Sequence, residues 1–215
     1  MIAFLASLGL FCLADTLLSK TRLEGIYYAI HSIHNAAIVY VTAPEIYHTI
    51  VDFNGAQAAE PNMLALQFVF ALHVYHILYY YQKFRFDDWL HHALMIGIAL
   101  PIGGLVSSGT LLGYSLFFTT GLPGGIDYGL LFLTRNNWIA RDVEKRINMW
   151  LNVWIRSPGC VSQAAFTFVT LCARPHVDAI WYAGMIAGIL NYWNGQYFMA
   201  QVVYNAGLTI NLRIQ

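Results

Sequence analysis

Apolar stretches of about 20 residues recur along almost the whole chain, and no other feature restricts its fold as strongly. A helix needs roughly 20 mostly apolar residues to cross a hydrocarbon core about 30 Å thick. Short connections that carry most of the charge separate seven such windows, near residues 1–19, 24–44, 62–82, 89–108, 111–134, 147–173 and 178–205. The sequence therefore predicts an all-α membrane protein with about seven transmembrane helices.

The composition supports this class and excludes others. Of the residues, 58% are hydrophobic and 10% are charged, which is unlike a soluble domain. The 11 Lys and Arg residues balance the 11 Asp and Glu residues, so no basic surface for nucleic acid is expected. The three cysteines have no CxxC spacing, which argues against a disulfide framework or a structural zinc site. No linker divides the chain, so residues 1–215 are expected to form a single transmembrane domain.

The first window and the longest connection both affect the predicted topology. No cationic segment precedes the first window, whose cations Lys20 and Arg22 follow it, and no obvious small-residue cleavage site is present. We therefore expect a retained first helix; the alternative is a truncated or processed N-terminus. The longest connection, 45–61, is partly amphipathic and suits the membrane interface.

The distribution of cations predicts the orientation. With seven spans, one side of the membrane holds nine of the 11 cations: Lys20, Arg22, Lys83, Arg85, Arg135, Arg141, Lys145, Arg146 and Arg213. By the positive-inside rule the C-terminus is cytosolic. We expect an internal membrane, such as the endoplasmic reticulum, if the source is eukaryotic.

Ionisable and amide side chains inside the windows fall in the predicted cytosolic half of the bundle. Such groups are costly in lipid, so each is a candidate functional residue. The predicted cavity residues are His31, His34, His73, His76, Asn152, Arg156, Asn191 and Asn194. Because Asn148, Asn152 and Arg156 repeat at a spacing of four, they share one helix face, and similar stripes occur in windows 3 and 7. The sequence therefore predicts a polar cavity inside the bundle.

Proline and glycine interrupt three windows at membrane depth. They occur at Pro101 with Gly103 and Gly104, at Gly121-Leu122-Pro123-Gly124-Gly125, and at Ser157-Pro158-Gly159. We expect a kink or break at each, tolerated where protein or a cavity satisfies the freed backbone groups. The alternative is gentle bending that permits close helix packing.

The pair His91 and His92 is the first candidate for catalysis. A neutral imidazole acts as a general base and, once protonated, stabilises an oxyanion. The alternative is a pair of interfacial histidines with structural hydrogen bonds. Adjacent helical residues diverge by about 100°, so only one of the two is expected to point straight at a cavity.

Histidines inside a membrane also serve as ligands of haem or iron. Haem or di-iron ligation remains an alternative, although the histidine runs of membrane desaturases are absent and hydrogen bonding across helices is the simpler use. We therefore predict no metal ligands and no cofactor. The last window has no lysine for a retinal Schiff base, and no G-x-S-x-G, H-E-x-x-H or P-loop motif occurs.

Four segments, in order, resemble the TLC-domain family of membrane proteins, which includes the ceramide synthases. They are YYAIHSIHNAAIVY, then LALQFVFALHVYHILYYYQKFRFDDWLHHALMIGIAL with the paired His91 and His92, then FFTTGLPGGIDYGLLFLTRNNW, and finally GILNYWNGQYFMAQVVYN. The resemblance covers about residues 24–205. It departs from the family where His76 stands in place of an aspartate commonly found before the paired histidines.

The resemblance implies a lipid-handling protein. In the most specific form of this hypothesis, the chain would transfer an acyl group from acyl-CoA, as co-substrate, to the amine of a sphingoid base. His91 or His92 would act on the acceptor, and Asp127 would orient or polarise a histidine. Only Asp127 corresponds to the extended acidic motif of the ceramide synthases. The second hypothesis is a non-catalytic lipid-binding, transport or accessory protein, with membrane lipids and a protein complex as partners.

Overall fold

A computed structural model of the protein describes residues 1–106 and 109–211. Every regular element in this part of the chain is helical, so the predicted all-α class is confirmed. The first helices are α1 (Ile2–Leu18), α2 (Ile26–Val51), the short α3 (Phe53–Ala58) and α4 (Met63–Tyr80).

The remaining helices form three continuous rods and one long helix. The rods pair α5 (Phe86–Leu94) with α6 (Leu100–Val106), α7 (Leu111–Leu116) with α8 (Leu122–Arg135), and α9 (Arg141–Leu151) with α10 (Ser157–Cys172). The last helix is α11 (Ala179–Asn211). Each of the seven apolar windows coincides with one rod or long helix. Arg213 and positions 107 and 108, which end the fourth window, lie outside the described residues.

Three helical stretches of the described chain are long and apolar enough to cross a membrane: Met63–Lys83, Asp88–Val106 and Leu111–Arg135. Helix α1 is a shorter apolar helix. The structure is therefore compatible with a membrane protein.

Two predicted boundaries were wrong. Helix α2 continues through Pro44 to Val51, and α3 follows it, so most of the expected interfacial connection is helical. Helix α9 begins at Arg141 instead of near residue 147, and its charged first turn includes the buried Glu144, which pairs with Lys145 at 3.1 Å. The charged residues of this first turn lie outside the apolar window, but charged side chains are compatible with an α-helix.

The three proline interruptions are wide turns within continuous helices. A π-helical turn joins the two halves of each rod, at Met95–Ala99, Phe117–Gly121 and Asn152–Arg156. Pro101, Pro123 and Pro158 each follow the turn by two residues. A proline cannot donate to the carbonyl four residues earlier and would clash with it, so the helix widens at that point.

The distribution of polarity is inverted relative to a soluble protein. Many large apolar side chains face outward, among them Leu10, Tyr40 and Trp154, whereas Asn35 and Asn152 are almost fully buried. A small apolar core lies where α2, α4, α6 and α7 meet, around Ile38, Val69 and Leu116. This arrangement suits a lipid environment outside and polar contacts inside.

Candidate functional site

Five of the six predicted histidines converge where α2, α4 and α5 meet. We call this group the histidine cluster: His31, His73, His76, His91 and His92. The rings of His31 and His76 stack with centroids 4.1 Å apart, and His76 lies 5.3 Å from His92 by the same measure. Side chains from three helices therefore bring imidazoles into one contiguous group.

Local backbone contacts fix two of these rings. The Nδ1 of His31 lies 2.9 Å from the carbonyl oxygen of Tyr27, and the Nδ1 of His73 lies 2.8 Å from that of Val69. A carbonyl oxygen only accepts, so each neutral ring carries its proton on Nδ1. The Nε2 lone pairs of His31 and His73 are then available to a proton or a ligand.

Aromatic side chains surround the cluster, and the sequence analysis missed them. Tyr27 and Tyr128 flank His31 with centroid distances of 4.2 Å and 4.1 Å, and Phe84 stacks on His92 at 4.7 Å. Tyr27 precedes His31 by one helical turn, which is a signal the sequence contains. No local pattern places Tyr128 there, because it arrives from α8.

Only one of the paired histidines was expected to point at the cavity, but both His91 and His92 line it. They differ in burial instead: His92 is 4% exposed, whereas His91 is exposed. Asp88 starts the same helix, since its carboxylate accepts a hydrogen bond of 2.9 Å from the Arg85 amide. It lines the cavity too, one turn before the pair.

The histidine cluster borders a cavity of about 610 Å³ enclosed by six of the rods and long helices of the described chain. Apolar residues of α4, α5 and α6, such as Leu72, Leu94 and Ile102, form one part of its wall. Polar groups from α7, α8, α10 and α11 also face it. It is lined by the three predicted catalytic residues, His91, His92 and Asp127, and by six of the eight predicted cavity residues: His31, His73, His76, Arg156, Asn191 and Asn194.

Two predicted cavity residues, His34 and Asn152, are not part of the cavity wall. His34 lies three residues after His31, about 60° around the helix, and its ring contacts Phe11 of α1 edge-on at 5.7 Å. Its Nδ1 lies 2.8 Å from Oδ1 of Asn35, which also accepts a hydrogen bond from Thr120. These contacts hold it between α1 and α2.

Asn152 holds another residue in place. Its amide nitrogen donates to Oδ1 of Asn148 at 2.7 Å, and its Oδ1 accepts from the Arg156 guanidinium at 3.4 Å. Arg156 also lies over the ring of Phe198, 5.3 Å from its centroid. The polar stripe on this rod thus orients an arginine that does reach the cavity.

Asp127 and Arg156 are two of the charged residues in the cavity wall, which also contains Asp88 and Arg174. No hydrogen bond joins Asp127 to an imidazole within the described residues, and its Oδ1 has no partner there. Both Asp127 and Arg156 face the same cavity, whereas the family resemblance implied that Asp127 orients a histidine.

Several buried polar atoms around the cavity have no hydrogen-bond partner among the described residues. They include Nε2 of His76, Nδ1 of His92, Oδ1 of Asp127, Nε of Arg156, Oε1 of Gln163 and Oδ1 of Asn194. Leaving such a group unpaired costs about 1–3 kcal/mol. Their concentration on one cavity indicates that a polar ligand or water completes them.

The sequence analysis also missed an acidic residue in the first window. Asp15 is buried in α1, and its carboxylate accepts hydrogen bonds from the hydroxyls of Tyr75 and Tyr80, the latter at 2.5 Å. A carboxylate in an apolar window is costly unless it is paired, which is the signal that identifies it. This network attaches α1 to α4 beside the histidine cluster.

No protein-family model matches the chain, and no curated protein or solved structure matches it either. The interpretation of the site therefore depends on its own residues and geometry.

Proposed function

We propose that the chain is a multi-pass membrane protein that binds a lipid in its central cavity. Seven membrane-spanning rods, with the C-terminus in the cytosol and an internal membrane as the location, agree with the seven windows and the distribution of cations. Three helices of sufficient length and hydropathy and the outward-facing apolar side chains support the membrane location.

The observation that carries the lipid proposal is the composition of the cavity wall. Leu72, Leu94 and Ile102 offer an apolar surface to an acyl chain, and the histidine cluster with Asp127 and Arg156 offers polar contacts to a head group. A volume of about 610 Å³ accommodates part of a lipid or of an acyl donor. An amphiphile matches this wall better than a wholly polar or wholly apolar molecule does.

The sharpest form of the proposal is TLC-like acyl transfer from acyl-CoA to the amine of a sphingoid base. An imidazole of the histidine cluster accepts a proton from the amine nitrogen while that nitrogen attacks the thioester carbonyl carbon. The carbon–sulfur bond then breaks, CoA leaves as its thiol, and the lipid amide remains. His91 and His92 stay the predicted bases, and His31 and His76 are the alternatives that the geometry adds.

One observation favours a non-catalytic lipid-binding or accessory protein as the second candidate. Asp127 makes no hydrogen bond to an imidazole of the histidine cluster within the described residues, and its Oδ1 has no partner there. A binding cavity needs no carboxylate that orients an imidazole, whereas general-base catalysis by histidine gains from one. A protein partner in the membrane belongs to this second candidate.

The test uses the full chain in lipid nanodiscs with acyl-CoA and a sphingoid base, and mass spectrometry measures the amide product. We expect His91→Ala to lower the rate at least tenfold, as loss of a general base does. His48→Ala is the matched control, because His48 lies on α2 away from the cavity wall.

The same preparation decides between the candidates. A co-purifying lipid without amide formation would favour the non-catalytic protein. Absence of both a bound lipid and a product would overturn the lipid proposal. A Soret band in the absorption spectrum would support the haem alternative instead.

A further inference from the structure

Three imidazoles of the histidine cluster form a nearly equilateral triangle. The centroid of His73 lies 5.4 Å from that of His91 and 5.4 Å from that of His92, and the last two are 5.3 Å apart. Each ring offers a nitrogen, and the three nitrogens all lie within 4.8 Å of one another. Three imidazole nitrogens at this spacing form a candidate set of metal ligands.

The size of the triangle matches a tetrahedral metal site. A zinc ion lies about 2.0–2.1 Å from a ligating imidazole nitrogen, and so about 3.2 Å from the ring centroid. Three rings around one tetrahedral ion then have centroids about 5.2 Å apart. The ligand nitrogens would have to approach to about 3.3 Å, which ring rotation achieves because the centroids already have the required spacing.

We propose that His73, His91 and His92 bind a divalent transition-metal ion, for which Zn²⁺ is the best-fitting species. Imidazole nitrogen suits zinc, and three histidines with one open position is an established type of catalytic zinc site. The metal proposal does not rest on the lipid proposal, but the two share His91 and His92. With an ion bound, these rings act as ligands, and His31 or His76 is then the base of the proposed acyl transfer.

Contacts outside the triangle support its use as a metal site. The hydrogen bond from Nδ1 of His73 to the Val69 carbonyl is the typical outer contact of a metal-ligating histidine, and it directs Nε2 to the ion. Phe84 stacks on His92 and fixes its plane, while the buried Nδ1 of His92 has no partner among the described residues. Asp88, one turn before the pair, offers a nearby negative charge.

The location of the triangle gives the ion an entry path and an open position. His91 is exposed, and all three rings line the central cavity. A fourth ligand would come from the cavity, as water or as a carbonyl oxygen of a bound molecule. With the ion in place, His31 and His76 remain as the free bases of the histidine cluster.

The test is metal content and zinc affinity of the full chain, purified in detergent with an affinity tag that contains no histidine. After incubation with ZnCl₂ and dialysis, elemental mass spectrometry should give one zinc per chain. Calorimetric titration should locate the same single site, and Co²⁺ in its place should give the intense visible bands of a tetrahedral complex.

Variants separate this site from general binding to histidines. His91→Ala should lower zinc affinity at least tenfold without unfolding the protein, because His91 is exposed. His48→Ala and His176→Ala remove the two histidines outside the predicted six and should leave one zinc bound. Equal losses in these two controls, or an unchanged affinity in His91→Ala, would overturn the proposal.

One variant distinguishes failure of the metal site from failure of the lipid proposal. His31→Ala should retain zinc at wild-type affinity, because His31 is outside the triangle, but it should lose acyl transfer if His31 is the base. A chain that binds zinc and forms no amide would keep the metal site and refute only the transferase.

Discussion

The attachment of α1 to the bundle depends on Asp15, and Tyr75→Phe tests this directly. The Asp15 carboxylate accepts hydrogen bonds from Tyr75 and Tyr80, and the Tyr75 side chain is fully buried. A hydrogen bond to a charged group contributes about 1.5–3 kcal/mol to folding. Because Tyr80 still donates to the carboxylate in the variant, we expect the free energy of unfolding to fall by about 1.5–2 kcal/mol.

The measurement is reversible unfolding in a mixed detergent titration, with Tyr47→Phe as the matched control. Tyr47 is 71% exposed, so its variant should change the free energy of unfolding by less than about 0.5 kcal/mol. The double variant with Tyr80→Phe should show coupling between the two tyrosines, since they share one acceptor. Equal stability of Tyr75→Phe and Tyr47→Phe would refute the role of Asp15.

The remaining predictions concern packing between rods and are measured by thermal unfolding in the same detergent. Gly159→Ala places a methyl group against the Phe118 ring and should lower the free energy of unfolding by about 1–3 kcal/mol. The methyl group of Gly9→Ala meets no atom within 4 Å, so this variant should stabilise α1 by up to about 1 kcal/mol. The reverse order would contradict the packing of α10 on Phe118. Ser115→Ala removes two hydrogen bonds, one of 3.0 Å from Nδ2 of Asn191 to the hydroxyl and one of 3.1 Å from the hydroxyl to Oδ1 of Asn191. It should cost at least about 0.5–1.5 kcal/mol, and no loss would show that this contact does not join α7 to α11.

The helices could be predicted from the sequence because length and hydropathy are local properties. Each apolar window coincides with a rod or long helix, and the prolines were correctly expected to disturb three of them. The exact ends could not be predicted, since Pro44 and the charged turn at Arg141 both lie within helices. Hydropathy shows where an apolar stretch ends, but it does not show whether the helix continues beyond that point into polar residues.

The convergence of the histidines could be anticipated, but not their partners. Depth along each window placed the six histidines at a similar level, and the structure brings five into contact around one cavity. The contact between Tyr128 and His31, and that between Asp15 and Tyr75, join residues far apart in sequence. These contacts depend on how each helix is rotated about its axis. A helix that is apolar on all its faces has no sequence pattern that determines this rotation.

The three π-helical turns contribute to the wall of the cavity that lies beside the apolar core. Met95, Thr119 and Arg156 each belong to one of these turns, and all three line the cavity. A π-helical turn inserts an extra residue and widens the helix, so the side chains beyond it point in a new direction. It also leaves backbone carbonyls without their usual donors, which the cavity or its contents can satisfy. The prolines that force these turns therefore position polar groups from three rods around the space that the histidine cluster borders.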